Sequence, residues 1–193
     1  MNGFERRTME KKNTIVQVAR VLFSKRGITD VGISEIAKKA NVSQVSIYNY
    51  FGDKNTLAKE ALYSYVDKII SEYEVILENK IPFDEKIQII MDKKQNAVME
   101  LSRFQFSSQA WEDRTLQQII KEAVISKTLA FYTRFIELGK KEGAIDESIS
   151  NDAILTFLHS SLSIMQQPGY LDTSLTYKMS ILRLFLYGIL GKE

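Results

Sequence analysis

Residues 44–54 include several side-chain types that can hydrogen-bond to nucleic-acid bases. The amides of Gln44 and Asn49 can each pair with the hydrogen-bonding edge of adenine, and the methyl groups of Val45 can contact the methyl group of thymine. Ser46 adds a hydroxyl that can bond to either kind of base edge. We therefore take these four side chains as candidates for reading a base sequence. The alternative is that Gln44 and Asn49 are surface residues that lie too far out to touch a base.

Three helical segments would position these side chains. Apolar residues recur at helical spacing over residues 13–26 and again over residues 33–40. Asn41 tolerates the left-handed backbone of a tight turn, and Ser43 can cap a third helix over residues 44–50. Two short helices joined by about three residues are typical of the helix-turn-helix, whose second helix enters the major groove of DNA.

The segment from residue 14 to residue 60 carries a set of motifs that resembles a known family. The motifs are Ala19-x-x-Leu22-Phe23 with Lys25-x-Gly27, Ile36-Ala37, Asn41-Val42-Ser43, Ile47-Tyr48-Asn49-Tyr50-Phe51 and Lys54-Asn55-Thr56-Leu57. With a Tyr-x-Tyr-Phe-x-x-Lys run at the family's spacing, the segment is similar to the TetR-type (TetR/AcrR) repressors. The resemblance implies an N-terminal helix-turn-helix domain followed by a C-terminal helical domain for ligand binding and dimerisation.

The resemblance also implies which side chains hold the phosphate backbone of DNA. The positions of Ser46, Tyr48, Tyr50 and Lys54 resemble phosphate-binding positions of the family, with hydroxyl groups and an ammonium that bond to anionic oxygens. Core packing is the alternative for the two tyrosines. A solvated side chain is the alternative for Lys54.

The start of the second helix departs from the family pattern. The family usually has a threonine N-cap followed three residues later by glutamate, whereas this chain has Gly32 and retains Glu35. Glycine caps a helix nearly as well, so the helix should still form. Because a hydroxyl that could reach a phosphate is missing, we expect backbone amides to serve there, with Gly32 and Ser34 as DNA-binding candidates.

Composition and charge bound the architecture of the whole chain. Of 193 residues 45% are apolar and only two are proline, which favours long helices. We expect an all-α protein of about nine helices, with a DNA-binding domain at residues 1–55 and an effector-binding and dimerisation domain at residues 56–193. Residues 1–54 hold ten Lys and Arg against five Asp and Glu, and the remainder carries a net charge of −3. A basic N-terminal region suits double-stranded DNA, although a solvated basic face would look alike.

Other classes of protein receive little support from the sequence. There is no cysteine, and no cluster of histidine with carboxylates at metal-ligand spacing, so we expect neither a metal nor a cofactor. The most apolar stretch, Ile181–Leu190, is shorter than the roughly 18 residues that cross a bilayer. With no secretory signal pattern either, we expect a cytoplasmic protein without a membrane span. Nucleophile motifs and glycine-rich phosphate loops are absent, so we do not expect an enzyme.

The last two predicted helices supply a candidate dimer interface. Arg183 is the only charge between Ile181 and Leu190, which a surface helix of a monomer would not sustain. We expect a homodimer, and a core formed within one chain is the alternative. The candidate interface residues are Leu155, Leu158, Leu162, Met165, Ile181, Leu182, Phe185 and Ile189.

Aromatic side chains in the middle of the chain could line an apolar cavity with a few polar groups. The candidate effector-binding residues are Phe104, Gln105, Phe106, Gln109, Trp111, Phe131, Tyr132, Phe135 and His159. Core packing is an equal alternative for the aromatics. For His159 a core or interface role is the favoured interpretation.

These features predict a homodimeric, ligand-responsive repressor that binds a palindromic operator and is released by a small apolar or amphipathic effector. A rival hypothesis is a helical dimeric interaction or architectural protein, whose N-terminal domain binds a protein partner or binds DNA without sequence preference. Salt weakens DNA binding in both cases, but only a regulator keeps a specificity ratio of about 10³ or more over random DNA.

Overall fold

A computed structural model describes residues 2–104, 106–165, 167 and 169–190, with side chains described throughout except at 94–104, 161, 162, 165 and 190. The α-helices in this part of the chain are α1 (Gly3–Arg26), α2 (Ile33–Lys39), α3 (Gln44–Phe51), α4 (Lys54–Glu78), α5 (Phe83–Phe104), α6 (Ser108–Trp111), α7 (Arg114–Lys141), α8 (Asn151–Met165) and α9 (Leu175–Leu190). A short 3-10 helix at Tyr170–Asp172 precedes α9. The prediction of an all-α fold is confirmed.

Helix α1 is longer than its apolar pattern indicated. The spacing predicted a start at Asn13, but the helix begins at Gly3. The side chain of Asn2 accepts hydrogen bonds from two backbone N–H groups of the first turn, and the Glu5 carboxylate accepts one from the Asn2 N–H at 2.9 Å. This reciprocal cap satisfies N–H groups that the start of a helix leaves unpaired. The predicted start was wrong because it rested on the apolar stripe, whose first buried member is Ile15.

Helices α2 and α3 form the helix-turn-helix. Asn41 has a φ of 53° in the turn, the left-handed conformation that asparagine tolerates better than most residues. Ser43 then caps α3, since its Oγ accepts a hydrogen bond from the Ser46 N–H at 3.0 Å. Gly32 is the N-cap of α2, with an extended backbone and no side-chain cap. These caps fix where each of the two helices begins.

Packing divides the chain into two units, and the first comprises Met1–Tyr65 and Gln105–Ala123. It contains α1, α2, α3, the first part of α4, α6 and the first part of α7. Its core includes the buried side chains of Ile15, Phe23, Ile28, Ile36, Ile47, Leu57, Leu62 and Leu116. Burial of side chains of this size stabilises a fold by about 1.5–3 kcal/mol each. The helix-turn-helix thus packs on a large hydrophobic core.

The second unit comprises Val66–Phe104 and Val124–Glu193. In its core the rings of Phe83 and Phe135 lie 4.9 Å apart between centroids. The Phe83 N–H donates a hydrogen bond to the Glu142 carboxylate at 2.9 Å, which connects the start of α5 to the residue that follows α7. Further buried members of this core are Tyr73, Ile76, Leu77, Ile90, Phe131, Ile136, Ile145, Ile154 and Ile189.

The predicted domain boundary at residue 55 concerns function, whereas these units follow packing. Residues 56–65 and 106–123 pack with the N-terminal helices. The functional division into residues 1–55 and 56–193 therefore stays a prediction.

Candidate nucleic-acid interface

Helix α3 has a buried face and an exposed face. Ile47 and Phe51 are buried in the core of the first unit, while Gln44, Val45 and Asn49 are exposed. The Val45 side chain is 65% exposed although it is aliphatic. Helical spacing places these three exposed residues on one outward surface, so they stay the candidates for base contacts.

The predicted phosphate-binding residues of α3 differ in exposure. Tyr48 is 49% exposed, whereas Tyr50 is half-buried against the core and its ring lies 5.6 Å from Nζ of Lys12. The Ser46 hydroxyl is half-buried and lies 2.9 Å from Oγ of Ser43. Tyr48 is thus the most accessible of these phosphate candidates on α3.

The ammonium group of Lys54 bonds to the connector between α1 and α2 (residues 27–32). Its Nζ donates hydrogen bonds to the carbonyl oxygens of Ile28 at 2.9 Å, Val31 at 3.2 Å and Thr29 at 3.4 Å. An ammonium has three N–H donors, so three carbonyls match its full capacity. Sequence reasoning considered only a phosphate contact or a solvated side chain for this lysine. It missed the carbonyl cluster, because backbone groups gathered by a turn leave no signature in the sequence.

A carboxylate also holds the connector. Oδ2 of Asp113 accepts a hydrogen bond from the Thr29 N–H at 2.7 Å, and its Oδ1 accepts from the N–H groups of Thr115 and Leu116 at the start of α7. Burial raises the pKa of Asp113, but these hydrogen bonds together outweigh burial and hold the pKa below its usual value. Gly27 has a φ of 80°, and a Cβ added there would lie 2.7 Å from Asp113 Oδ2. Glycine is therefore required at the end of α1.

The residues that precede α7 bond to the last turn of α1 as well. The Ser107 N–H donates to the Ser24 carbonyl at 2.9 Å, and the Ser107 hydroxyl donates to the Lys25 carbonyl at 2.6 Å. These bonds satisfy carbonyl groups that the end of a helix leaves open. The amide of Gln109 lies 3.5 Å from the Asp30 carboxylate. Residues 107–113 thus contact both the end of α1 and the connector.

An ion pair joins the end of α1 to α2. The Arg26 guanidinium hydrogen-bonds to the Glu35 carboxylate, which also lies 3.3 Å from Nζ of Lys39. The hydrogen bond from Arg26 lowers the pKa of Glu35 below its usual value. Because all three side chains are partly exposed, the pairs orient α2 more than they stabilise the fold.

Residues 15–61 match the family described as "Bacterial regulatory proteins, tetR family". The part of the chain that contains the helix-turn-helix is thus a tetR-family domain. The match starts at the first buried residue of α1, ends within α4 and includes the whole helix-turn-helix. The family resemblance inferred from the sequence motifs is thereby confirmed.

Curated tetR-family relatives resemble the N-terminal region most strongly. The HTH-type transcriptional regulator AcrR of Shigella flexneri is 36% identical over 75 residues, which cover 39% of this chain and 34% of AcrR. The uncharacterized HTH-type transcriptional regulator YhgD of Bacillus subtilis (strain 168) is 24% identical over 142 residues, 72% of this chain and 73% of YhgD. The matched segment spans about a third of the length of AcrR and of the KstR2 repressor of Mycolicibacterium smegmatis.

Solved structures extend the likeness of fold over nearly the whole chain. The transcriptional regulator FadR from Bacillus subtilis, solved in complex with stearoyl-CoA, is 19% identical with a TM-score of 0.65, covering 94% of this chain and 98% of FadR. A TetR-family regulator from Agrobacterium tumefaciens is 14% identical with a TM-score of 0.62, covering 95% and 99%. The tetR-family architecture of an N-terminal helix-turn-helix followed by further helices is therefore shared.

The predicted effector-binding residues belong to both packing units. The first unit holds Phe106, Gln109 and Trp111, and the second holds Phe131, Tyr132, Phe135 and His159. Gln105 and the side chain of Phe104 lie outside the described residues. The rings of Phe106 and Trp111 lie 5.4 Å apart, and those of Phe131 and Phe135 are buried in the second core. Packing is thus one role of these aromatics, and a ligand-binding role stays a prediction.

The rings of Tyr132 and His159 are in contact within the second unit. Their ring centroids are 6.0 Å apart, and burial raises the pKa of Tyr132 to about 12. Nε2 of His159 is buried and has no hydrogen-bond partner among the described residues. A buried polar atom left without a partner costs roughly 1–3 kcal/mol, so a bound group that supplied one would be favoured.

Part of the predicted dimer interface packs within the chain itself. Leu155, Leu158 and Ile189 contribute to the second core, and Ile189 is almost wholly buried. Ile181, Leu182 and Phe185 are half-buried. The side chains of Leu162 and Met165 lie outside the described residues. The interface assignment of these residues stays a prediction.

A different set of apolar side chains faces outward from α8 and α9. Phe157 is 40% exposed, Leu184 is 65% exposed and Tyr187 is 66% exposed. The Phe157 and Phe185 rings lie 4.8 Å apart, and a Cβ added at Gly188 would lie 3.0 Å from the Phe157 ring, so the two helices are in close contact here. We call Phe157, Leu184 and Tyr187 the α8–α9 surface. Sequence reasoning missed it because α9 is apolar all round and its pattern does not indicate which face turns outward.

Neither a membrane-spanning helix nor a metal site is found among the described residues. Within the residues that the structure describes, no helix combines the length and apolarity needed to cross a membrane. The same residues contain no group of three or more His, Cys, Asp or Glu side chains placed to hold a metal ion.

Proposed function

We propose that this chain is a transcriptional repressor that binds a palindromic operator as a homodimer and is released by a small apolar or amphipathic effector. The observation that carries the proposal is the outward face of α3. Gln44, Val45 and Asn49 are exposed there on a helix whose opposite face is buried in a core. In a tetR-family domain this is the helix that the motif inserts into the major groove.

The proposed DNA contacts divide into base contacts and phosphate contacts. Gln44 and Asn49 would bond to adenine and Val45 would contact thymine methyl groups, and these contacts set specificity. The exposed Tyr48 hydroxyl would bond to phosphate, which fixes the register of the protein on DNA. Ser34 and the backbone amides that follow Gly32 are proposed to bind the phosphate chain at the start of α2.

Lys54, Ser46 and Tyr50 have a second proposed role besides phosphate binding. Each is partly buried, and Lys54 already donates hydrogen bonds to the connector. A phosphate could take one of those three ammonium donors, but the other bonds would still hold the connector. The contribution of these residues to DNA affinity is therefore proposed to combine direct contact with support of the helix-turn-helix.

The α8–α9 surface supports the homodimer. Leu184, Tyr187 and Phe157 expose apolar side chains from two helices in close contact, a pattern that marks an interface for another protein. A second copy of the chain would bury these side chains. Two copies would also present two α3 helices, as a palindromic operator requires.

The effector is proposed to combine an apolar body with at least one polar group. The buried Nε2 of His159 offers it a hydrogen-bond partner beside the ring of Tyr132. FadR from Bacillus subtilis shares the fold and binds stearoyl-CoA, a molecule with both an apolar and a polar part. Release requires that the effector bind the free form more tightly than the DNA-bound form.

Selection of bound duplexes from a random-sequence pool, with the purified full chain, tests this function. We expect enrichment of a palindrome whose half-sites lie one helical turn or more apart, and binding at least about 10³-fold tighter than to random DNA at physiological salt. Repeating the binding with fractions of cell extract should identify an effector that releases the operator.

The same selection separates the rival function. An architectural or protein-binding domain would yield a pool without an enriched motif, and that result would overturn the proposed regulator. Enrichment of a single half-site would contradict the homodimer but retain sequence-specific binding. An extract fraction that binds tightly yet leaves operator affinity unchanged would contradict the proposed release.

A further inference from the structure

The first three turns of α1 extend beyond the core of the first unit. We call residues Gly3–Thr14 the basic extension. All of its side chains are exposed or half-buried, and the first buried residue of the helix is Ile15. The family match also starts at residue 15. Burial in this unit therefore does not explain why these turns are helical.

The helical form of the basic extension is specified locally. The reciprocal cap between Asn2 and Glu5 satisfies N–H groups at its start, and the Arg7 Nε donates to the Gly3 carbonyl at 3.1 Å. A pair between Arg6 and Glu10 at 3.6 Å spans one turn. Capping and pairing of this kind each stabilise a helix by a few tenths to about 1 kcal/mol. The side chains of the extension are thus held in a fixed helical register.

Positive charge is concentrated on one face of the basic extension. Arg7 and Lys11 precede the buried Ile15 by eight and four residues, so they continue the face of α1 that packs into the core. Lys12 and Thr8 lie beside them. The two acidic residues of the extension are engaged elsewhere, Glu5 in the cap and Glu10 with Arg6. The core-side face of α1 therefore continues as a surface of cations and one hydroxyl, with the exposed ring of Phe4 at its far end.

A direct contact places this charged face beside α3. Nζ of Lys12 lies 5.6 Å from the centroid of the Tyr50 ring, a distance suited to a cation–π contact. Tyr50 is in the last turn of α3, the helix whose early residues are exposed for base contacts. A duplex that receives α3 would thus have part of its phosphate backbone near Lys12.

We propose that the basic extension is a second DNA-binding element, in which Arg7, Lys11 and Lys12 contact backbone phosphates beside the groove occupied by α3. This inference rests on the proposed DNA-binding function. Its contacts are to phosphate, so they raise affinity for every duplex without selecting a sequence. Arginine and lysine bound to phosphate also release counterions, which makes the contribution measurable through its salt dependence.

The test compares the full chain with a triple variant, Arg7→Gln, Lys11→Gln and Lys12→Gln. Affinity for a random-sequence duplex of about 30 base pairs is measured over a range of KCl concentrations by fluorescence anisotropy. Each phosphate contact contributes about 0.9 to the slope of log affinity against log salt. We expect the slope of the triple variant to become shallower by about 2 to 3 for each bound protomer, with weaker binding at low salt.

Two further variants serve as controls. Lys68→Gln, Lys80→Gln and Lys141→Gln remove the same charge from exposed positions of the second unit and should leave the slope unchanged. Lys11→Arg with Lys12→Arg keeps the charges and should retain the slope of the parent chain. Circular dichroism and Tm verify that each variant is folded.

The possible outcomes separate the inference from the function on which it rests. An unchanged slope in a folded triple variant, with normal binding by the parent chain, would overturn the basic extension as a DNA-binding element. An equal reduction of the salt slope in the triple variant and in the second-unit control would overturn it too, since the slope would then depend only on net charge. Failure of the parent chain to bind any duplex would overturn the proposed function itself.

Discussion

At the scale of single residues, Lys54 has surroundings that differ from both sequence predictions, a phosphate contact and a solvated side chain. Its three hydrogen bonds to Ile28, Val31 and Thr29 hold the connector against the start of α4. The side chain is only half-buried, so part of it still meets solvent. A change at Lys54 should therefore affect both the stability of the first unit and its affinity for DNA.

Lys54→Ala is expected to lower the free energy of unfolding by about 1–2 kcal/mol, because hydrogen bonds that involve a charged group are among the stronger ones. It should also weaken binding to all DNA sequences alike, since neither phosphate contact nor connector support depends on base identity. Chemical denaturation and anisotropy with two unrelated duplexes measure these effects. A change in Kd for DNA with no change in unfolding would contradict the structural part of the role.

Gln44→Ala is expected to act on specificity instead. Its amide is exposed on the outward face of α3 and makes a bidentate contact with adenine possible, so its loss should reduce discrimination at one operator position by about 1–3 kcal/mol. Repeating the duplex selection with the variant tests this, and Tm should remain that of the parent chain. Uniform weakening at every position, as for Lys54→Ala, would show that the assignment of the two residues is wrong.

At the scale of elements, the connector between α1 and α2 is bonded from several sides. Lys54 donates to its carbonyl groups, Asp113 accepts from its Thr29 N–H, and Gln109 lies near Asp30. Backbone groups of a loop are normally satisfied by water, and here side chains from α4 and from residues 107–113 replace it. The position of α2 in the first unit therefore depends on residues that are distant in sequence.

Asp113→Ala is expected to destabilise the first unit by about 1 kcal/mol, because it removes the N-cap of α7 together with the bond to Thr29. The hydrogen bonds lower the pKa of Asp113 in the folded chain, so its contribution is complete above the unfolded value near 3.8 and is lost as pH falls below that value. The Tm difference between the parent chain and the variant should be full above about pH 5 and shrink below pH 4.

Asp113→Asn provides the matched control for that experiment. It keeps an oxygen that can accept a hydrogen bond but no longer titrates, so it should retain part of the stability and lose the dependence on pH. A Tm difference between the parent chain and Asp113→Ala that stays constant from pH 7 to pH 3 would contradict the role of the ionised carboxylate.

The elements themselves could be predicted to very different degrees. The turn at Asn41 and the cap at Ser43 follow from residue types with strong local preferences, and the apolar stripe from Ile15 identified the packed part of α1. The first turns of α1 were missed because the Asn2 and Glu5 cap lies outside that stripe. Contacts of Lys54 and Asp113 with the connector join residues far apart in sequence, which local patterns do not encode.

At the scale of the whole molecule, the α8–α9 surface bears on assembly. Leu184 and Tyr187 are each about two-thirds exposed on a helix whose Ile189 is buried in the core of the second unit. The sequence predicted that α8 and α9 form an interface, but the helical period of a helix that is apolar all round could not select its outward residues. The exposed fractions of the side chains in the structure identify Leu184 and Tyr187 as outward residues.

The double variant Leu184→Glu and Tyr187→Glu is expected to yield a folded monomer, because buried and unpaired carboxylates would oppose association. Sedimentation velocity should show loss of the dimer, and operator affinity should fall by 10-fold or more because each half-site is then bound separately. Val75→Glu, at another exposed apolar position of the second unit, should leave both properties unchanged. A parent chain that sediments as a monomer would contradict the proposed assembly.

The close approach of Gly27 to Asp113 has a consequence for how this sequence can diverge. No side chain fits at position 27 while a carboxylate occupies position 113, since a Cβ would come within 2.7 Å of its oxygen. In descendants of this protein we expect position 27 to remain glycine, because its positive φ strains any other residue and an added Cβ would also lie 2.8 Å from the Cβ of Asp113. Glycine at 27 together with aspartate at 113 would mark those relatives that keep the same contact between the end of α1 and the residue before α7.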